Sequence, residues 1–582
     1  MVRNLTLLTI LAFATAFIAA KIIRGTNTTT ATIIKYNAFH RKTAVSCGPD
    51  WAAINNITEE TPISIIPGTG NYIWKISTKN DSAQLYFNQG ISMYYCFHII
   101  EAMASFKKAA SFDPDCAIFY WAQALTYGPN INDLGYIASP EALAAVQKAN
   151  QLSAKASPLE KALIKAISVR YTADSTDATR AALNAQYTAM MKEVYNQFSN
   201  NADAQALFAD AMMLEHPWNL WNIDGTPKPW TPLIEKVLEK LLATTPLHPG
   251  ANHYYIHVME PSPYAAKALP SANRLALLTP GLSHTVHMPS HIYLRTGQYT
   301  QGIKLNEDAI ADYKKTLNLY APVSGSDFLY LIHNLHMQTN VALLAGQDAY
   351  SMQSAKETAS SVTENYLLSP APFAAASQYI FMTPTLVAIR FGKWDQLLAA
   401  AEPNNKMIYA GILFHFGRGM AMAHELKIDN ANNELQQMQQ LMKDSSLNIP
   451  FGIFSPAIDG AKIAEGLLTG SIAMAEKKYA AAIVAFSKAV TIEENMVYNE
   501  PRDWLLSPKH YLGNAYFKAG QPAAAEKIFQ KDLLTNNENG WALYGTYQAL
   551  LAQNKTAAAN AVLARFKKAF AKADITLQAA VF

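Results

Sequence analysis

The chain has 582 residues, 50% of them apolar and 16% charged, with 47 Lys and Arg against 44 Asp and Glu for a formal charge of +3. Its length fits three or four domains or one long repetitive architecture, and its apolar content excludes disorder for most of the chain. The balanced charge, with no basic run to track a phosphate backbone, excludes a nucleic-acid partner, and three cysteines (Cys47, Cys96 and Cys116) are too few for a disulfide-built scaffold.

At the N-terminus, residues 5–20 form an apolar run after Arg3, with Ala14, Ala16, Ala19 and Ala20 near its end. This is the layout of a secretory signal peptide at 1–20, and it predicts a periplasmic or secreted protein. The alternative, an uncleaved anchor, needs roughly 20 apolar residues to span a bilayer, more than this run supplies. No later stretch is long and apolar enough to span. Residues 26–32 are Thr-rich, and 21–82 read as an irregular N-terminal segment.

From residue 83 to 582 the chain repeats with a period close to 34 residues, the length of a tetratricopeptide (TPR) helix pair. In such a pair small residues let two antiparallel helices approach, an aromatic fills the groove between them, and a proline ends the second helix. Tyr86, Gly90, Ala102, Phe106, Ala109 and Pro114 occupy those slots. Copies follow at Tyr293, Gly297, Tyr299 and Ala309, at Gly470, Tyr479, Ala482, Phe486 and Ala489, and at Gly513, Tyr516, Gly520, Ala525 and Phe529. The expected fold is therefore all-α, a TPR-like α-solenoid: a superhelix of roughly a dozen antiparallel hairpins whose concave face carries any site. Two insertions rich in Pro or Trp, residues 216–230 and 369–384, read as lids or as boundary caps.

Histidine is unevenly placed. Eight of the 14 lie between residues 248 and 336, inside a His-rich centre spanning 215–336. His253, His257 and Glu260 are spaced to share one helix face, and His284, His287 and His291 do the same one repeat later. Two imidazoles one turn apart with a carboxylate bind zinc or another divalent transition metal, neutral ring nitrogens serving as donors. We take these six as candidate metal ligands, with Glu215, His216, His333, Asn334, His336, Asn130 and Asn132 as candidate ligand-binding or supporting groups. A polar groove that grips a peptide, or plain helix packing, would use the same residues. Pro289 predicts a late start or a kink that displaces His284 and His287 from the face of His291. No HExxH, GxSxG, Walker loop or Rossmann fingerprint is present.

Several longer segments resemble a widespread group of exported bacterial TPR-repeat proteins: AQLYFNQG (83–90), DPDCA and GPNIN (113–132), HPGANHYYIHVME (248–260), HTVHMPSHIYLRTGQY (284–299), HNLH (333–336) and NGWALYG (539–545). That resemblance implies the repeat fold but no assigned reaction. In the group, the Phe-Asn-His that commonly leads into the first repeat is replaced here by Phe97 and His98 followed by Ile99 and Ile100. A second cysteine near Cys116 is Phe119, so no CxxC-type ligand pair forms.

Two functional classes fit. One is an exported scaffold whose His-rich concave site binds a divalent metal, zinc first, together with a protein or peptide partner or a small ligand. The other is a metal-dependent enzyme, a hydrolase or oxidoreductase, using the same His and Glu cluster with Glu215 or Glu260 as general base.

Overall fold

The computed structural model describes residues 57–582 apart from 59, 133–135, 137, 175, 321–327 and 500. The leader, the Thr-rich stretch and Cys47 lie outside the described residues. From Asp81 onward the described chain is α-helical, its one extended pairing being the bridge between Trp221 and Pro227. The helices pair into antiparallel hairpins, such as Asp81–Tyr95 with Ile99–Phe112 and Ala457–Ala475 with Tyr479–Asn495. None of the described helices is long and apolar enough to cross a membrane.

The reversals inside the hairpins share one chemistry. The first helix ends on a left-handed residue whose successor donates its N–H to a carbonyl five residues back, capping the last turn. Phe97, Leu426, Lys477 and Asn554 take this position at φ 60, 61, 60 and 60°. The matching bonds are His98 to Met93, Lys427 to Met422, Lys478 to Ala473 and Lys555 to Leu550. A β-carbon makes this conformation costly, so each non-glycine here is held by what surrounds it.

Between the helices of a pair, the predicted small-residue and aromatic slots meet. A Cβ at Gly90 would fall 2.6 Å from the Phe106 ring, one at Gly470 2.3 Å from Phe486, and one at Gly513 2.5 Å from Phe529. Each phenylalanine lies flat on a helix backbone that only glycine leaves bare, which brings the two axes close enough to exclude water.

Residues 60–80 carry no helix but buckle across several hairpins. Ile66 N–H donates to Gln89 (2.7 Å), Ser77 N–H to Glu160 (2.8 Å), the Tyr72 hydroxyl to Asp203 (2.8 Å), and Gly281 N–H to the Gly68 carbonyl (2.9 Å). The array also folds back on itself. Trp541 donates to the Leu343 carbonyl (2.9 Å), Tyr299 to that of Asn537 (2.6 Å) and Arg295 to that of Thr535 (3.1 Å). At the other end the Tyr95 carbonyl meets His253, and Tyr330 reaches that of Phe97. The histidines expected on a concave face lie in the interior, between the first hairpin and the fifth, sixth and seventh, which begin at Pro249–Met259, Ser283–His287 and His333–Leu344, because long-range packing covers the wall on which a simple solenoid would have displayed them.

Candidate metal centre

His248 opens the Pro249–Met259 helix as its N-cap, its Nδ1 accepting from Ala251 N–H at 3.1 Å. That fixes the helix start, and the next turns aim His253 and His257 inward; both are at most 1% exposed. The second histidine segment is broken as Pro289 predicts, into Ser283–His287 and Pro289–Arg295. Proline removes one ladder bond there and lets the two halves aim differently. His333 arrives from the start of His333–Leu344, just after a wide π-type turn over Phe328–Ile332.

The sequence-based triads are re-sorted. One donor atom from each of His253, His257 and His284 lies within 4.8 Å of the others, and the same holds for His287, His291 and His333. His284 and His287 share the short Ser283–His287 helix yet part company: His284 joins the first group, while His287 stays with His291, against the displacement expected of it, and His333 becomes the third member. Glu260 joins neither group as a donor. It stands between them, accepting from His257 Nδ1 through Oε1 at 2.8 Å and lying 2.9 Å from His291 Nδ1 through Oε2. Its place is that of a carboxylate that orients ligating imidazoles.

Proton placement makes the geometry informative. The Nδ1 of His253 lies 2.7 Å from the Tyr95 carbonyl, which can only accept. That of His287 lies 2.6 Å from Asn306 Oδ1, in an amide whose orientation is set by Nδ2 donating to the Gly302 carbonyl. With the Glu260 contacts, Nδ1 is the protonated nitrogen in His253, His257 and His287. A neutral ring so arranged presents a bare lone pair at Nε2. Yet His253 Nε2 and His257 Nε2 are 3.0 Å apart, and those of His287 and His291 2.7 Å. Lone pairs aimed together at this distance repel unless a cation lies between them, and imidazoles bind transition metals in this way.

Burial keeps the rings neutral. Desolvation pushes His253 down to about 4 and holds His257, His284, His287 and His333 well below the ordinary imidazole range, with neighbouring imidazoles adding to the shift at each. The surround is aromatic. Phe97, held in its left-handed conformation, places its ring centroid 4.4, 5.6 and 5.7 Å from those of His253, His257 and His284. Trp218 meets His257 edge-on at 5.5 Å and donates to Asn132 Oδ1 at 3.1 Å.

The remaining candidates divide. Asn130 accepts from Asn132 N–H (2.8 Å), and Asn132 Oδ1 holds Trp218, so this pair shapes the turn that anchors that ring. His216 is stacked on Trp230 at 3.6 Å, with Glu215 4.0 Å from it; neither belongs to the histidine groups, so Glu215 is not placed as their base. Asn334 donates to the Tyr330 carbonyl (3.0 Å) beside His333. His336 faces a cavity next to the second group.

Two buried residues had gone unassigned. Glu101 and His98 lie 4.0 Å apart, the latter stacked on Tyr330 at 4.4 Å. Burial pushes the Glu101 carboxyl up to about 7 and His98 down to about 3. The spacing of three between His98 and Glu101 was the available signal, masked by Ile99 and Ile100, where the chain departs from the pattern of the group it resembles.

The 216–230 insertion is a loop folded over a helix end: Trp221 Nε1 donates to the Val258 carbonyl at 2.7 Å. Most of 369–384 is helix, Phe373–Phe381 and the start of Thr383–Arg390, in place of an irregular lid.

No family model matches the chain, and no curated protein does. Solved structures similar to it include a human IFIT1 dimer with m7Gppp-AAAA (12% identity, 90% of this chain and 99% of that one, TM-score 0.31). Others are a Rap protein complexed with competence and sporulation factor (14%, 72% and 99%, 0.33) and the APC/C Cut9–Hcn1 hetero-tetramer (11%, 84% and 88%, 0.26). At these TM-scores none of them carries an argument about this chain. The repeat architecture rests on the hairpins themselves, which define a helical-repeat protein of TPR type with a buried histidine centre.

Proposed function

We propose that this chain is an exported helical-repeat protein that binds divalent transition metal, zinc first, at two adjacent three-histidine sites: His253, His257 and His284, and His287, His291 and His333. The observation that carries this reading is the 3.0 Å Nε2–Nε2 contact between His253 and His257, whose protons sit on the far nitrogens, beside a second such contact at 2.7 Å between His287 and His291. A packing histidine turns its unprotonated nitrogen toward a donor; here Nε2 faces Nε2 across both ring pairs. In this reading the repeats are the scaffold and the metal centre is what they enclose. A protein or peptide partner would dock on the exposed hairpins or on the groove of about 710 Å3 lined by Trp218, Trp221, Tyr498 and Arg502.

Elemental analysis of full-length protein purified from metal-replete cells tests the core of the proposal. One to two equivalents of metal per chain are expected, falling when His257 or His291 is replaced by Ala; a content near zero would end the metal reading. Export is tested separately: the mature N-terminus recovered from the extracellular or periplasmic fraction should begin beyond residue 20.

A second reading, a metal-dependent hydrolase or oxidoreductase, draws on one further observation. Three protein ligands leave a zinc ion an open position, and His333 also lines a cavity. A His333→Ala variant that stays folded and keeps metal in the first site but loses turnover would favour catalysis.

A further inference from the structure

Beside the second histidine group lies a cavity of about 100 Å3. Aromatic rings make much of its wall: Tyr379, Tyr409, Phe451 and Phe454, joined by the half-buried Ala375 and Ala376 of the Phe373–Phe381 helix, and it opens to the surface beside Ile449. The rings support one another, Tyr379 and Tyr409 stacking at 6.1 Å and Phe451 and Phe454 at 6.4 Å. Gly460 is required there, since a Cβ would fall 2.2 Å from the Tyr409 hydroxyl and push that ring from the wall.

Apolar pockets of similar size take up single-ring molecules. The polar groups on this wall are specific. His336 is 4% exposed, its Nε2 has no hydrogen-bond partner among the described residues, and its ring meets Tyr379 edge-on at 6.0 Å. His333, 6% exposed, lines the same space with its Nε2 likewise unpartnered. Burial holds His336 neutral, pushing it down to about 3. Among the described residues no Lys or Arg lines the cavity; Asp503 is the acidic side chain there, and Ser455 and Asn499 add neutral polar groups. An anion would find no counter-charge there, while a hydroxyl can donate to or accept from a neutral imidazole.

We propose that this cavity binds a small uncharged aromatic molecule bearing a hydroxyl group, its ring among Tyr379, Phe451 and Phe454 and its hydroxyl on His336. His333 then joins that ligand to the second metal site. Only this last clause rests on the metal reading; the cavity and His336 do not require it.

The test uses phenol as probe, with toluene and benzoate as comparators, on the full-length protein by calorimetry or ligand-observed NMR. Saturable one-to-one binding of phenol is expected, with toluene weaker by about fivefold for the lost hydrogen bond and benzoate not bound. Ala376→Phe fills the space and should abolish phenol binding with metal content unchanged. His336→Leu should bring phenol down to the level of toluene. The proposal is overturned if phenol binds no better than benzoate, or if folded Ala376→Phe binds it as the parent does. Should Ala376→Phe not fold by circular dichroism, the His336→Leu variant and the three-ligand comparison decide alone. Phenol binding without metal removes the metal reading and leaves this one; metal without phenol binding does the reverse.

Discussion

Glu260 is the residue on which the two histidine groups depend together, since its two oxygens face His257 and His291. Glu260→Gln keeps the shape but weakens the acceptor that fixes both tautomers, so metal affinity is expected to fall by about 10- to 100-fold in competition with a chelator dye, with little change in helix content. The buried imidazoles also set a pH response. In the metal-free protein the unfolded chain takes up protons near pH 6.5, while folded His253 resists to about 4 and His98 and His336 to about 3. Their pKa values are depressed by folding, so their contribution is fully present above about 6.5 and is lost as pH falls through that window. Thermal midpoints are expected to drop between pH 7.5 and about 5, and metal to dissociate over the same range because protons compete for Nε2.

At the level of the hairpin, the glycine beneath each phenylalanine is the sensitive point. Gly470→Ala places a methyl 2.3 Å from Phe486 and should cost about 1–3 kcal/mol by urea denaturation. Adding Phe486→Leu should recover part of that loss, because the two sites share one contact. An effect no greater than that of Ala at an exposed position would mean that the helices separate freely, contrary to close packing. The left-handed turn residues behave differently. Leu426 is exposed and bears a side chain at φ 61°, so Leu426→Gly relieves strain without removing core, and a small gain in stability is expected from thermal melts.

Across the whole molecule, closure is what buries the histidine groups. Trp541 is fully buried, donates to Leu343, and holds the Arg390 guanidinium 3.7 Å from its ring centroid. Replacing it with Ala should cost about 3–5 kcal/mol and, by loosening the return of the last hairpins onto the seventh, speed metal loss to a chelator. Nearby, burial pushes the Asp532 carboxyl up, but His510, Lys509 and Ser507 outweigh it and hold it below the usual range. Metal bound to the folded state alone should raise the thermal midpoint, by an amount equivalent to about 2.7 kcal/mol at a hundredfold excess over Kd. An unchanged midpoint after chelation would count against a buried centre.

The repeat was legible in the chain because its signals are local: a 34-residue period, glycine and phenylalanine 16 apart, and turn residues at fixed offsets all act within one hairpin. The five histidines and Glu260 taken as metal ligands were legible as residues for the same reason, each set falling within one repeat. Their grouping was not. His284 meets His253 and His257 across the packed face of the Pro249–Met259 helix, and His333 completes the second group from a separate hairpin; both depend on how hairpins are set against one another. The concave wall expected from the period became an interior for a related reason. Contacts between Leu343 and Trp541, or Tyr95 and His253, join residues 198 and 158 positions apart, and no periodicity encodes them. Local spacing thus determined which side chains face inward, and long-range closure decided which of them meet, how dry they are, and that a ring-sized cavity lies beside them.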